Sequence, residues 1–256
     1  MSTRGWRVLA IVVAAVVLAV IGAVVVWRLA LHDAAEPATI GEALQRYRRE
    51  AAGGGGRIPP GVYVYATSGF ESVSALGGAR HRYPRRSTIT VTASSCGTAL
   101  RWQVLTTRAD TWTICSAAGG LSLAAWHEEH TFFGHKDTTD WQCTRTAWVP
   151  ADSNPGAKAR WRCRGGDTLQ VGTVTVLGRA PVLVGSTSIG ALGLRMVVRE
   201  QGGARGLATE ERWVEPETGL PLRVVYAVRT DNPSPIGKVV FEEQFRLRLL
   251  SLQPRS

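Results

Sequence analysis

The stretch Val239-Val240-Phe241-Glu242-Glu243-Gln244-Phe245-Arg246-Leu247-Arg248-Leu249 decides the fold class of this 256-residue chain. Apolar side chains recur at every second position along most of it, and Arg246 and Arg248 stand between them. A period of two is that of a β-strand with one dry face and one wet face, which is typical of antiparallel sheets. The C-terminal part of the chain is therefore predicted to be β-structure.

The same alternation extends through most of the chain. Leu192 to Val198 and Leu222 to Val228 repeat it, and from Gly61 onward short apolar runs are separated by glycine, proline and polar clusters. We expect a mainly β fold, with a long curved antiparallel sheet over residues 61–256. Its predicted apolar face includes Val224, Tyr226, Val228, Phe241, Phe245 and Leu247.

A large dry sheet face needs cover, and the chain after the first thirty residues predicts only one short helix. Thr39-Ile40-Gly41-Glu42 has the pattern of a capping box at its start, and Gly53 to Gly56 follow its end. Three arrangements would cover the sheet: a half-barrel holding an apolar ligand, which we favour, a closed barrel, or a sandwich. Strand periodicity does not distinguish among them.

An apolar run from Val8 to Trp27 precedes the predicted sheet. As a helix its twenty residues would extend about 30 Å, the thickness of the bilayer hydrocarbon core. We predict a cytoplasmic tail over residues 1–7, a transmembrane helix over 8–27, and a tether, amphipathic helix and Gly/Pro linker over 28–60. Residues 61–256 would then form an extracytoplasmic domain of a single-pass membrane protein.

The four cysteines all follow the apolar run, and none forms a C-x-x-C motif. An even number of cysteines outside the membrane predicts two disulfides. We expect Cys96 to pair with Cys115 and Cys143 with Cys163, because each pair brackets a predicted hairpin. Closing a loop of this length stabilises the fold by about 3 kcal/mol.

Basic residues give the chain a formal net charge of +10. Lys158, Arg160, Arg162 and Arg164 alternate with apolar residues, so a strand here would carry a cationic stripe able to meet anionic lipid or polymer. Nucleic acid is not an expected partner outside the membrane. The expected partners are the membrane and a lipid or other apolar ligand.

Histidines at positions 127, 130 and 135 form the cluster that most resembles a metal site. It is not H-E-x-x-H, and on a strand His127 and His130 would face opposite sides of the sheet, away from a shared ion. The chain also lacks G-x-S-x-G and phosphate-binding glycine motifs. We therefore expect no metal site at His127, His130 and His135, no cofactor and no catalytic residues.

The segment from Trp213 to Arg223, which contains Pro216-Glu217-Thr218-Gly219, resembles the strand-turn-strand of LolA-type lipoprotein carriers and LppX-type lipid-binding lipoproteins. One N-terminal amphipathic helix followed by a long meander is similar as well. The resemblance implies a half-barrel with a cavity for acyl chains. As a whole, the chain resembles membrane-anchored proteins of high-GC Gram-positive bacteria, in keeping with its many arginines.

Together these patterns predict a non-enzymatic, membrane-anchored extracytoplasmic domain that binds lipid or another apolar ligand. The alternative is an envelope adhesion or assembly module that acts through its surface. A hydrolase, metal-dependent or otherwise, is the third hypothesis.

Overall fold

A computed structural model describes residues 16–18, 20–22, 35–50, 56–117, 120–234 and 237–256. The predicted membrane span from Val8 to Trp27 lies outside the described residues apart from two short helical pieces. Within the described ranges, no helix is both long enough and apolar enough to cross a membrane. The predicted tether is described only from residue 35 onward.

The predicted amphipathic helix and the predicted β-structure are both present. Helix α1 spans Ile40–Glu50. The strands follow in the described residues as β1 (Gly61–Val73), β2 (Ala79–Arg82), β3 (Arg86–Ser94), β4 (Gly97–Leu105), β5 (Arg108–Ala117), β6 (Gly120–Phe132), β7 (His135–Val149), β8 (Lys158–Gly165), β9 (Thr168–Val184), β10 (Thr187–Gln201), β11 (Arg205–Val214), β12 (Pro221–Ser234) and β13 (Gly237–Leu249).

The strands form an antiparallel meander that closes on itself. Each strand from β3 to β12 pairs with the next, β1 pairs with β3, and β13 returns to pair with β1. The closing register runs from Tyr65 opposite Leu249 to Val73 opposite Phe241. The described structure is thus a closed ring of twelve strands, the second of the three arrangements, and the favoured half-barrel is not formed.

Two short segments extend the barrel wall beyond Arg86, the first residue of β3. Strand β2 pairs with residues 70–73 of β1 on the edge that β3 uses earlier, because β13 occupies the other edge. Farther along, the Ala38 amide donates to the Val104 carbonyl at 3.2 Å and the Thr106 amide donates to the Glu36 carbonyl at 2.8 Å. The end of the predicted tether is therefore part of the folded domain.

Helix α1 lies outside the barrel against β1 and β3. Its predicted capping box is present: the Glu42 amide donates to Thr39 Oγ1 at 3.2 Å, and the Thr39 amide donates to the Glu42 carboxylate at 2.8 Å. Thr88 and Thr90, on the outer side of β3, are buried although they point away from the barrel interior. Burial of these two threonines is consistent with the helix covering this part of the wall.

Both predicted disulfides are present, with the expected pairing. Cys96, which immediately precedes β4, bonds Cys115 on β5. Cys143 bonds Cys163, its directly opposite partner on β8. Each bond ties strands that are neighbours in the wall.

The turn between β11 and β12 packs against the apolar part of the interior. Gly219 has a φ of +77°, which glycine adopts in turns without steric strain, and a Cβ on it would lie 2.6 Å from Leu121. Trp148 Nε1 donates to the Gly219 carbonyl at 3.0 Å. The turn thus covers the apolar end of the interior. The ionisable side chains of the interior lie at the other end.

Candidate ligand site inside the barrel

The interior changes from apolar to charged along the barrel axis. Successive inward residues of β6 are Leu121, Leu123, Trp126, Glu128 and His130, and the first three are buried in the core. Glu128 and His130 belong to a group of ionisable side chains at the other end. The strand thus carries an apolar layer, an aromatic layer and a charged layer in order.

The predicted apolar face lies inside the barrel. Val224, Val228, Phe245 and Leu247 are buried, and Tyr226 and Phe241 pack against them. Four of the six residues, all except Val228 and Phe241, line a cavity between the apolar and charged ends.

Four tryptophan rings surround much of this cavity. Trp112, Trp126, Trp148 and Trp161 line it together with Met196. Its volume is about 40 Å³, which is room for a few water molecules. A cavity that binds benzene measures about 150 Å³, so a ligand the size of an aromatic ring enters only if the surrounding side chains move apart, and an acyl chain would require a larger rearrangement.

Two arginines reach the cavity, and their surroundings differ. Arg108 Nη2 donates to Asp110 Oδ2 at 2.7 Å, and its Nε and Nη2 donate to the Glu243 carboxylate at 3.1 and 3.2 Å. Its Nη1 donates to the Ala109 carbonyl at 2.9 Å. The guanidinium of Arg108 is therefore paired on every nitrogen and serves as the structural centre of the charged layer.

Arg212 is the second arginine, and it is 2% exposed. Its Cζ lies 4.0 Å from the centroid of the Trp148 ring, a cation–π contact. Nε lies 3.0 Å from Glu210 Oε1, yet neither Nε nor Nη2 has a hydrogen-bond partner among the described residues. Burial lowers the pKa of Arg212 and raises the pKa of Glu210, because each charge is removed from water.

Closure of the barrel brings two carboxylates face to face. Glu71 of β1 and Glu243 of β13 are direct partners across the closing seam. Arg108 Nε stands between them, 3.7 Å from Glu71 and 3.1 Å from Glu243, and the Tyr83 hydroxyl also donates to Glu243. Like charges opposite each other destabilise a sheet. The hydrogen bonds and the positive charge from these donors offset the repulsion between the two carboxylates at the seam.

Two histidines complete the environment of Glu71. His81 Nδ1 lies 2.9 Å from one carboxylate oxygen and His130 Nδ1 lies 2.8 Å from the other. Burial alone would raise the pKa of Glu71, but hydrogen bonds from His130 and His81 outweigh it and hold the pKa at about 2. Burial and Arg108 oppose the charge of His130, but hydrogen bonds to Glu128 and Glu71 raise its pKa to about 9.

The remaining acidic side chains of the interior have mostly neutral hydrogen-bond donors as partners. Asp110 accepts from Trp126 Nε1 at 2.9 Å, Glu128 accepts from Trp141 Nε1 at 2.6 Å, and Glu200 accepts from the Gln170 amide at 2.8 Å. Burial raises the pKa of Asp110, and it raises the pKa of Glu200 to about 7 despite the Gln170 hydrogen bond. At neutral pH Glu200 is therefore partly protonated.

The other predicted site residues lie elsewhere. The stripe of Lys158, Arg160, Arg162 and Arg164 is exposed on the outer face of β8. His127 faces outward, 2.6 Å from Asp140, whereas His130 faces inward and His135 is exposed at the β6–β7 hairpin. In the described part of the chain, no group of three or more His, Cys, Asp or Glu side chains is arranged to hold a metal ion.

Sequence reasoning missed the charged interior residues, although their positions in the alternation place them on the buried face of their strands. Glu243 falls between Phe241 and Phe245 on the predicted dry face, and Arg212 shares the phase of the buried Val214. A charge placed in phase with core residues is predicted to be buried, and a buried charge needs a partner or a purpose. That signal was available in the alternation itself.

Comparison with known proteins does not identify the site. No protein-family model, curated protein or solved structure matches this chain. The interior geometry therefore carries the functional argument.

Replacement of Glu71 by Gln tests the charged layer. Loss of the carboxylate removes a hydrogen-bond acceptor for charged His130, so the pKa of His130 is expected to fall below its value of about 9, while the hydrogen bond to Glu128 still opposes the fall. An uncompensated buried charge costs about 3 kcal/mol in the free energy of unfolding. NMR titration of the His130 ring and urea unfolding over a pH series measure the two effects.

The pH window follows from the direction of each shift. The pKa of Glu71 is depressed, so its contribution is present above about pH 4.5 and is lost as pH falls toward 2. The pKa of His130 is raised, so its contribution is present below about pH 6.5 and is lost as pH rises through 9. The stability difference between wild type and Glu71→Gln should peak between these limits. Glu242→Gln, on the outer face of β13, is the control, and an unchanged His130 titration in Glu71→Gln would contradict the assignment.

Proposed function

We propose that this chain is a membrane-anchored extracytoplasmic domain that binds a small apolar ligand inside its β-barrel, without catalysis. The observation that carries the proposal is the cavity between Trp112, Trp126, Trp148 and Trp161, enclosed by the barrel wall. Binding sites of this kind combine aromatic walls with a few polar groups that fix orientation. The resemblance to LolA-type carriers implies a half-barrel, which the closed ring does not form, so the aromatic lining of the cavity is what supports an apolar ligand. The cavity volume favours a ligand smaller than a lipid.

The placement of the domain rests on two features of the chain. Two disulfides favour an oxidising compartment outside the cytoplasm. The apolar run from Val8 to Trp27 supplies the proposed anchor. A domain held in this way would bind its ligand near the membrane surface.

Apolar contact alone gives modest affinity at this site. A ligand that buries about 150 Å² of apolar surface gains about 4 kcal/mol. That energy corresponds to a dissociation constant of about 1 mM, before the entropy lost on binding is subtracted. Useful affinity for so small a ligand therefore needs at least one strong polar contact.

Filling the cavity tests the proposal. Ala208 lines the cavity on β11, and Ala208→Leu should occupy the space without removing a polar group. Benzyl alcohol, a neutral aromatic probe, is expected to shift the indole N–H signals of Trp126 and Trp148 in the full chain reconstituted in nanodiscs. The dissociation constant should rise by about tenfold or more in Ala208→Leu.

Ala227→Leu is the matched control, because Ala227 lies on the outer face of the adjacent strand. It should bind benzyl alcohol as wild type does. Equal binding by wild type and a folded Ala208→Leu variant would place the ligand elsewhere and refute the proposal.

A second candidate function acts through the outer surface. Arg162, Val171, Arg199 and Leu207 lie side by side across β8 to β11, and Val197 stands one row away. Val197 and Leu207 are 43% and 42% exposed. Arginines interleaved with exposed aliphatic side chains suit contact with an anionic membrane, where the charges meet headgroups and the aliphatic groups enter the interface.

Nanodiscs of different lipid composition test this second function. With paramagnetic headgroup lipids in phosphatidylglycerol, the methyl signals of Val197 and Leu207 should broaden, and in phosphatidylcholine they should not. The triple replacement of Arg160, Arg162 and Arg199 by Gln should remove the broadening, since each arginine near an anionic surface contributes about 1 kcal/mol.

The control replaces three arginines elsewhere on the outer wall, Arg223, Arg246 and Arg248, and should leave the broadening unchanged. If both triple variants lose the broadening equally, net charge alone explains the effect, and the surface formed by Arg162, Val197, Arg199 and Leu207 is not the membrane contact.

A further inference from the structure

We propose that the ligand of the barrel cavity is a small monocarboxylic acid with an apolar or aromatic tail, and that Arg212 binds its carboxylate. This inference rests on the proposed binding function and adds the chemical class of the ligand. It starts from a buried cation whose donors are unused.

The two interior arginines provide the comparison. Arg108 donates hydrogen bonds from all three nitrogens to Asp110, Glu243 and the Ala109 carbonyl. Arg212 is equally buried, yet in the described structure its Nε and Nη2 have no hydrogen-bond partner. Unpaired buried donors cost free energy, more so on a charged group, and buried charges in proteins are usually paired. Arg212 is thus costly for the fold without a compensating contact.

Glu210 forms an ion pair with Arg212 but does not supply the missing hydrogen bonds. It lies 3.0 Å from Nε on the same strand, two residues away, but the N–H does not point at its oxygen. Nε and Nη2 lie along one side of the guanidinium, the edge with which arginine binds a carboxylate through two parallel hydrogen bonds. The two nitrogens without partners are therefore those that a carboxylate would use.

The Trp148 ring makes the orientation of this edge specific. Its centroid lies 4.0 Å from Arg212 Cζ, and Trp148 Nε1 is fixed by its bond to the Gly219 carbonyl. A ring held in this way restricts the guanidinium to a narrow range of positions beside the cavity. Arg212 and Trp148 are thus held in place before a ligand binds, which reduces the entropy that these two side chains lose on binding, while the apolar side chains around the cavity must still move apart.

The rest of the cavity defines the remainder of the ligand. Trp112, Trp161 and Met196 offer an apolar surface, which suits an aliphatic or aromatic tail. Asp110 and Glu210 also line the cavity and oppose any negative charge on the ligand, so only the charge placed on Arg212 is offset and a second one would be repelled. One negative charge, a planar carboxylate and a short tail fit these constraints better than a phosphate does.

The test compares benzoate with benzyl alcohol, which has the same ring but no charge. In the full chain in nanodiscs, NMR titration of the Trp148 indole N–H should give benzoate a dissociation constant about tenfold lower, as hydrogen bonds to charged groups predict. In Arg212→Met, benzoate should fall to the affinity of benzyl alcohol, while benzyl alcohol should change by less than about twofold.

Two further variants keep the result interpretable. Arg212→Lys retains the positive charge but cannot make the bidentate contact, so its preference for benzoate over benzyl alcohol should be intermediate. This variant replaces Arg212→Met in the test if Arg212→Met fails to fold. Arg195→Met removes an exposed arginine of β10 and should keep the wild-type preference for benzoate.

Each outcome distinguishes the two proposals. Equal affinity for benzoate and benzyl alcohol in wild type, or a benzoate preference that survives in Arg212→Met, would overturn the role of Arg212 and leave the cavity proposal standing. If neither probe shifts any cavity tryptophan, both the binding function and the ligand class are wrong.

Discussion

The pairing of β1 with β13 is the constraint on which the rest of the structure depends. It converts a twelve-strand meander with two free edges into a ring, and the inward faces of all its strands then share one enclosed space. Closure also sets Glu71 opposite Glu243, a repulsive pair that would not exist in an open sheet. The seam and the charged layer therefore depend on each other, since Arg108, Tyr83, His81 and His130 offset the repulsion that closure creates.

The contrast between Arg108 and Arg212 separates structure from function inside the barrel. Both guanidinium groups are buried, but one is fully paired by the protein while the other presents unused donors beside an aromatic cavity. A buried charge that the protein itself pairs completely, as at Arg108, has a structural role in the fold. Arg212 has Glu210 and Trp148 nearby but lacks hydrogen bonds from Nε and Nη2, which a ligand could accept, and the tryptophans around the cavity define what kind of ligand fits.

Local patterns predicted those parts of the fold that depend on nearby residues. Alternation identified the strands and assigned Phe245 and Leu247 to the inner face, the cysteine positions predicted both disulfides, and Thr39 and Glu42 predicted the start of the helix. Closure was not predictable in this way, because it depends on whether the first and last strands of a long sheet meet. That outcome is set by the accumulated twist and stagger of all the strands, to which each contributes little.

The interior charges were missed for a different reason. Glu242 and Glu243 are adjacent, so one of them must face inward, but a pair of glutamates in a strand is easily read as surface. Its meaning depends on Arg108, more than a hundred residues earlier, and only the closed ring brings the two together. Polar residues in phase with a core are therefore the sequence signal to follow in barrels of this kind.

Amide hydrogen exchange at the β1–β13 seam tests the central claim, closure of the barrel, most directly. In a closed ring, the hydrogen-bonded amides between these two strands should exchange as slowly as those between β10 and β11, which have a neighbouring strand on both sides in a closed or an open sheet. Fast exchange along the facing edges of β1 and β13, with protection retained between β10 and β11, would show an open sheet and contradict the enclosed interior on which the proposed ligand site depends.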